Sequence, residues 1–233
     1  MTPLDLLALT VFAVAWLFYE PLLKRLSRRA RLNSDMTVVR TAWMTRMTGS
    51  DMRLMDGQLM GHALNSASFF ASASLIVIAA CAGVLFGGEM AWRNLASVPF
   101  LAPAPRGLFE FKLALVVVAL VRGLLDVMWS IRQLNYCLAA IGAAPDQPAE
   151  GERRDLSAWG RAIAAVLNPA LSSFNAGVRG YYFALAAGAW LAGPVAFGVA
   201  TLGAVALLVW RQTGSKAARG VAAIRSLIEQ EGR

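Results

Sequence analysis

The chain has 233 residues, of which 58% are hydrophobic and only 15% charged, with a mean hydropathy of +0.54. Soluble domains are about half apolar and about a quarter charged, so this composition excludes a soluble enzyme, a disordered tail and a disulfide-rich secreted module. It points to an integral membrane protein, and the net charge of +8 fits basic loops that meet anionic lipid headgroups. No basic stripe interleaved with aromatics is present, so nucleic acid is not an expected partner.

A bilayer core about 30 Å thick takes roughly 20 helical residues. The first stretch that fits, residues 4–23, is interrupted only by Asp5 and Glu20 near its ends. No Lys or Arg precedes it and no small-residue cleavage site ends it, so it reads as a span rather than a signal peptide. Lys24, Arg25, Arg28, Arg29 and Arg31 follow, which puts the N-terminus outside and the next segment, 24–62, in the cytoplasm. Within that segment Met36, Val39, Trp43 and Met47 recur at helical spacing. The pattern predicts a helix lying in the interface, with Trp43 at headgroup level and Arg40 and Arg46 toward phosphate. Met36, Met44, Met47, Met52, Met55 and Met60 gather here, either as an adaptable partner-binding groove or as apolar filling beneath the helix.

The second span covers 63–86 and carries Asn65, Ser66, Ser68, Ser72 and Ser74, side chains suited to hydrogen bonding between helices, and the small-residue pair Gly83 and Gly87. The third covers 108–131 and carries Lys112, Arg122 and Asp126. A second cytoplasmic segment, 132–170, holds the clearest loop, 144–155, and an amphipathic series, Leu156, Trp159, Ile163 and Val166, that ends at Asn168-Pro169.

The apolar block from Tyr181 to Trp210 is interrupted by Gly193-Pro194. As one helix it would be about 45 Å long, half again the hydrocarbon thickness; the alternative is a hairpin of two spans, 171–191 and 195–210. Four spans would leave the tail's Arg211, Lys216, Arg219, Arg225 and Arg233 outside. Five spans put every basic residue of the loops and tail inside except Arg93 and Arg106, which obeys the positive-inside rule throughout. The expected fold is therefore an all-α membrane bundle of five spans in one membrane domain, N-terminus out and C-terminus in. Interfacial helices lie on its cytoplasmic side. The cytoplasmic tail, 211–233, places Val221, Ile224 and Ile228 on one face of a short helix, with Arg219 and Arg225 available to headgroups.

On the third span Arg122 and Asp126 are four apart and share a face. The stripe continues through Ser130 and Gln133 toward Arg132, Asn135 and Tyr136. It reads either as a polar path for an ion or small solute, or as a structural Arg–Asp clasp, because a charge at membrane depth must face protein or water. Asn175, Arg179, Tyr181 and Tyr182 enter the fourth span, either as interfacial anchors or, with Arg132, Asn135 and Tyr136, as a cytoplasmic mouth. Enzymatic motifs are absent. The single histidine, His62, excludes a His-rich metal site, and no Ser–His–Asp order, phosphate-binding loop, dinucleotide fingerprint or zinc spacing occurs. No cofactor or metal is expected. Cys81 and Cys137 fall at opposite ends of their spans, too far apart to bridge.

Five segments carry a family resemblance: Arg53-x-x-Asp56, Asn65–Leu75, Phe109-Glu110-x-Lys112-Leu113, Trp129–Pro145 and Phe174–Pro194. Together, in this order, they resemble the family called domain of unknown function 599. The resemblance implies a multispan membrane protein of bacteria or plants with no assigned activity, and supplies no catalytic residues. The Ala/Gly/Arg-rich makeup favours a bacterial inner membrane. Two functions follow as expectations: a small, oligomeric transporter or channel that uses the third-span stripe, or a non-catalytic scaffold that binds a partner through its cytoplasmic helices.

Overall fold

The computed structural model describes residues 1–26, 32–50, 53–146 and 155–231. Arg28, Arg29, Arg31, Met52, Arg153, Arg154, Arg233 and the middle of the 144–155 loop lie outside the described residues. The elements among the described residues are helical: α1 (Pro3–Leu26), α2 (Leu32–Thr48), α3 (Arg53–Phe86), α4 (Gly88–Ala96), α5 (Arg106–Ala143), α6 (Ser157–Gly188), a 3₁₀ turn (Ala189–Ala192), α7 (Pro194–Thr213) and α8 (Lys216–Glu231). The fold is all-α. Three stretches, Pro3–Pro21, Arg53–Phe86 and Pro194–Glu231, are long and apolar enough to cross a membrane.

Several helices outrun the spans read from hydropathy. α3 starts at Arg53 rather than near Ala63, because Gly57 and Gly61 weaken a helix by only about 1 kcal/mol each and no proline stops it. α6 runs straight through Pro169, so the amphipathic series from Trp159 to Val166 is its first part and not a separate interfacial helix. Proline forfeits one backbone bond there, but Ile163, Ala164, Leu167 and Ala170 are all buried around it and packing holds the helix.

The chain forms two compact units. The first comprises Met1–Arg28, Ala71–Leu125 and Ala176–Trp210. Its core is aromatic: Phe12, Phe183, Trp190 and Phe197 are fully buried. The Phe12 ring lies 5.9 Å from Phe183 and 5.1 Å from Phe197. Along a single helix those two residues would be about 21 Å apart, so both reach one ring only because the chain reverses between them. The reversal sits at Gly193, whose φ of 127° no side chain tolerates easily, followed by Pro194 at the first position of α7, where its missing N–H costs nothing. Residues 181–210 are thus two helices. The outside of this unit is apolar, with Leu17, Phe18, Ile76, Leu185, Val195 and Val199 all exposed. A soluble protein rarely presents so much, and the arrangement is compatible with a membrane protein.

The second unit comprises Arg29–Phe70, Asp126–Asn175 and Arg211–Arg233. Met44, Met47, Met60, Leu134, Ile163 and Leu167 fill its core, so three of the clustered methionines are packing residues and not part of an open groove. The buried side of α2 carries Arg40, Met44 and Met47, offset from the predicted face. Val39 and Trp43 turn instead toward α8, lining with Ile224 and Leu227 a cavity of about 320 Å³. The Trp43 indole N–H donates to Asp56 at 2.7 Å, where a lipid headgroup was expected. Arg225, read as available to lipid, pairs with buried Asp35 at 2.8 Å and with Glu229 at 2.7 Å and fastens α8 to α2.

Candidate functional site

In the first unit two polar clusters interrupt the apolar interior. Asp5, only 4% exposed, accepts from the Trp190 indole N–H at 2.8 Å and from both the backbone N–H and the hydroxyl of Thr2 at 2.8 Å. The Lys112 ammonium, on a side chain 3% exposed, lies 5.7 Å from the centre of the Trp190 ring. A desolvated cation over an indole face gains about 2 kcal/mol, so Trp190 joins a carboxylate at its edge to an ammonium over its face. Asp5 and Lys112 stand with opposite charge among apolar neighbours on α1 and α5, the one signal by which the sequence advertised the cluster. In the second cluster Arg179 pairs with Glu20 at 2.8 Å and its guanidinium stands 5.5 Å over the Tyr19 ring. Ser74 and Tyr181 share a hydrogen bond between α3 and α6.

The second unit contains a denser polar interior. Asn175 donates to Asn33 at 3.1 Å, the Asn33 backbone N–H donates to Gln212 at 3.3 Å, and Asn168 donates to the Thr41 hydroxyl at 3.4 Å. Arg53 donates to the carbonyls of Ala144 and Pro145 just past the end of α5, where unpaired carbonyls favour a cation. Four further polar atoms are buried without a hydrogen-bond partner among the described residues: Arg40 Nε, Ser130 Oγ, Gln133 Oε1 and Asn168 Oδ1. Burial pulls the Arg40 pKa down and pushes the Cys137 thiol up to about 11.

The sequence-predicted residues separate against this geometry. Along α5, Arg122 is exposed, Asp126 half-buried, and Ser130 and Gln133 buried, so the stripe descends from the surface into the packed interior. Arg132, Asn135 and Tyr136 lie on the exposed flank of the same helix, and the Asn135 amide donates back to the Ile131 carbonyl at 3.0 Å. Arg179 is held by Glu20 and Tyr19, Asn175 by Asn33, and Tyr182 is half-buried. Gly83 meets no neighbour that an added Cβ would touch; backbones approach closely at Gly123 and Gly180, between α5 and α6, and at Gly160, between α6 and α2. The described residues contain no three His, Cys, Asp or Glu placed to hold a metal ion, and both cysteines are free thiols.

A family model described as a protein of unknown function, DUF599, matches residues 7–217. The chain belongs to the DUF599 family. No curated protein and no solved structure matches it. Several residues of the segments that carried the DUF599 resemblance lock helices together. Arg53 caps α5 and Asp56 holds Trp43, Lys112 faces Trp190, and the Phe174–Pro194 run supplies Asn175, Arg179, Tyr181, Phe183 and Trp190. In this DUF599 chain these residues join one helix to another. The buried oxygens of Ser130 and Gln133, inside the Trp129–Pro145 motif, stand apart because they have no hydrogen-bond partner among the described residues.

Proposed function

We propose that this DUF599 protein is a non-enzymatic, five-span protein of a bacterial inner membrane, N-terminus out and C-terminus in, that moves ions or small solutes as a homo-oligomer. The observation that supports this reading is the pair Ser130 and Gln133 on the buried face of α5, each with an oxygen that no described residue satisfies. Buried polar atoms are almost always paired with protein or ordered water, so such oxygens suit an ion or a polar solute that enters and leaves. The helix reversal at Gly193 supports the fifth span, because it returns the basic tail to the side of the 24–62 segment.

Flux through proteoliposomes tests the proposal. Wild-type protein is expected to pass ions or small solutes above the rate of empty vesicles, and Ser130→Ala and Gln133→Leu to change that flux while the protein stays folded. Wild-type flux equal to that of empty vesicles refutes transport.

A scaffold role is favoured by a different observation, the open cavity of about 520 Å³ beside α2 and α8, lined by Val38, Ala42 and Ile228 among others. Crosslinking from Ala42 in cells distinguishes it. A discrete partner protein supports the scaffold, and self-contacts alone remove its basis.

A further inference from the structure

The open cavity of about 520 Å³ beside α2 changes character along its length. Thr37, Thr41 and Thr45 line it at intervals of four residues, so one face of α2 fronts it for about 12 Å. Their hydroxyls are spent within the helix. Thr37 donates to the Asn33 carbonyl at 3.0 Å, Thr41 to that of Thr37 and Thr45 to that of Thr41, both at 2.8 Å. The Thr41 hydroxyl also accepts from Asn168. What this stripe offers a ligand is chiefly methyl groups, and Val38, Ala42 and Ile228 add further apolar surface.

Charge gathers at one end. A Cβ at Gly160 would lie 2.5 Å from the Thr45 Cα, so α6 begins against the last turn of α2, and Arg46 and Arg161 each follow one of those two residues. Both arginines line the cavity and both are exposed. Arg46 pairs with Glu231, also on the wall, at 3.3 Å, but the two side chains are 71% and 72% exposed, and ion pairs in water are worth little. Arg161 donates to the Ser157 hydroxyl at 2.8 Å and forms no ion pair with a described residue; Asp155 acts on it from beyond ion-pair distance. The wall therefore sets two cations against one carboxylate at the end of an apolar run. A matching occupant is hydrocarbon with an anionic head. The volume falls among small-ligand sites, about 300–1,000 Å³, whereas a protein partner covers about 800 Å² on each side. One wall also belongs to α8, which starts only three residues after α7 ends, at most about 11 Å of chain, so the amphiphile at hand is membrane lipid.

We propose that this cavity seats an anionic phospholipid, with one acyl chain along the threonine face of α2 and the headgroup phosphate at Arg46 and Arg161. The site stands whether or not the protein conducts and whichever way the chain is inserted. It gives to lipid the cavity that a scaffold would use for a partner protein.

Full-length protein is reconstituted in phosphatidylcholine vesicles carrying a trace of either phosphatidylglycerol or phosphatidylcholine with a photoactivatable diazirine on one acyl chain. Adducts are mapped by mass spectrometry, and those on α3 serve as the reference for chance lipid contact. Label is expected at residues 37–45 of α2 and at Ile228, stronger from phosphatidylglycerol by about fivefold for each arginine engaged. Arg161→Gln is expected to remove about fivefold of that preference. Thr37→Trp, at an exposed position, fills the cavity and is expected to clear its label while α3 labels as before. Thr37→Val deletes the hydroxyl but keeps the apolar shape, and is expected to label as wild type does. The proposal is overturned by an unlabelled cavity, by equal label from the two lipids, or by a preference that Arg161→Gln leaves whole. Label that survives Thr37→Trp, or that Thr37→Val removes, overturns it as well. So does a discrete protein adduct from Ala42 in cells, which hands the cavity to a partner.

Discussion

Replacing Gly180 with alanine is a sharp test of how the first unit is held. A Cβ at 180 would lie 2.8 Å from the Gly123 Cα, 3.3 Å from the Gly123 nitrogen and 3.4 Å from the Ala119 carbonyl oxygen. All three are backbone atoms, so no side chain can rotate away. Carbon atoms prefer contacts of about 3.5–4.0 Å, so α5 and α6 must part by roughly 1 Å. Overpacking of this kind costs about 1–3 kcal/mol, offset by the gain of about 0.5–1 kcal/mol for exchanging glycine for alanine within a helix. The net expectation is a loss of about 1–2 kcal/mol, or roughly 2–8 °C in melting temperature for a chain of this size. The assay is thermal melting of detergent-purified protein, monitored by size-exclusion chromatography. Gly203→Ala on α7 is the control, because no atom lies within 4 Å of its added Cβ; it is expected to melt at or above wild type. If Gly180→Ala melts with Gly203→Ala, the close crossing of α5 and α6 is refuted.

Three further outcomes are expected. Trp190→Phe keeps an aromatic ring beside Phe197 but removes the only side-chain donor to Asp5, among the described residues, outside Thr2; a lost hydrogen bond to a charged group costs about 1.5–3 kcal/mol, read as a lower melting temperature that Asp5→Asn partly relieves in the double variant. Asp35→Ala breaks the pair that fastens α8, so limited trypsin digestion is expected to cut the tail after Arg219 or Arg225 faster than in wild type, while an unchanged digestion rate places the attachment elsewhere. Burial raises the Cys137 thiol to about 11 from an ordinary value of 9.0. Above the unfolded value the unfolded state binds fewer protons than the native one, so stability falls as pH rises from about 9 to about 11. Cys137→Ala is expected to flatten that alkaline decline, and wild-type Cys137 to resist maleimide at neutral pH until the protein is denatured.

The fold class and the break at Gly193-Pro194 were legible in the sequence because apolar length and a Gly-Pro pair are local signals. Helix ends were less so. Hydropathy marks where a helix meets an apolar medium and is blind to helix that continues beyond, as at Arg53–His62 and through Pro169. The face of α2 was offset because two partners cover it, α8 on the Asp35 side and the unit's core on the Met44 side, and periodicity assumes one. At the candidate site, the stripe through Ser130 and Gln133 followed from spacing of three and four. Arg40 did not, because an arginine on a predicted interfacial helix reads as a lipid contact until its burial is known. The partnership of Asp5 with Trp190 spans nearly the whole chain, and no local pattern carries a contact of that range.

The topology is tested most directly by thiol accessibility in intact cells, on a background with Cys81 and Cys137 replaced. Ser97→Cys, in the exposed turn after α4, and Ser226→Cys, on the exposed side of α8, are treated with a membrane-impermeant maleimide. Five spans with a cytoplasmic tail require Ser97→Cys to label from outside and Ser226→Cys to label only after permeabilisation. Labelling of Ser226→Cys in intact cells places the tail outside and contradicts the account.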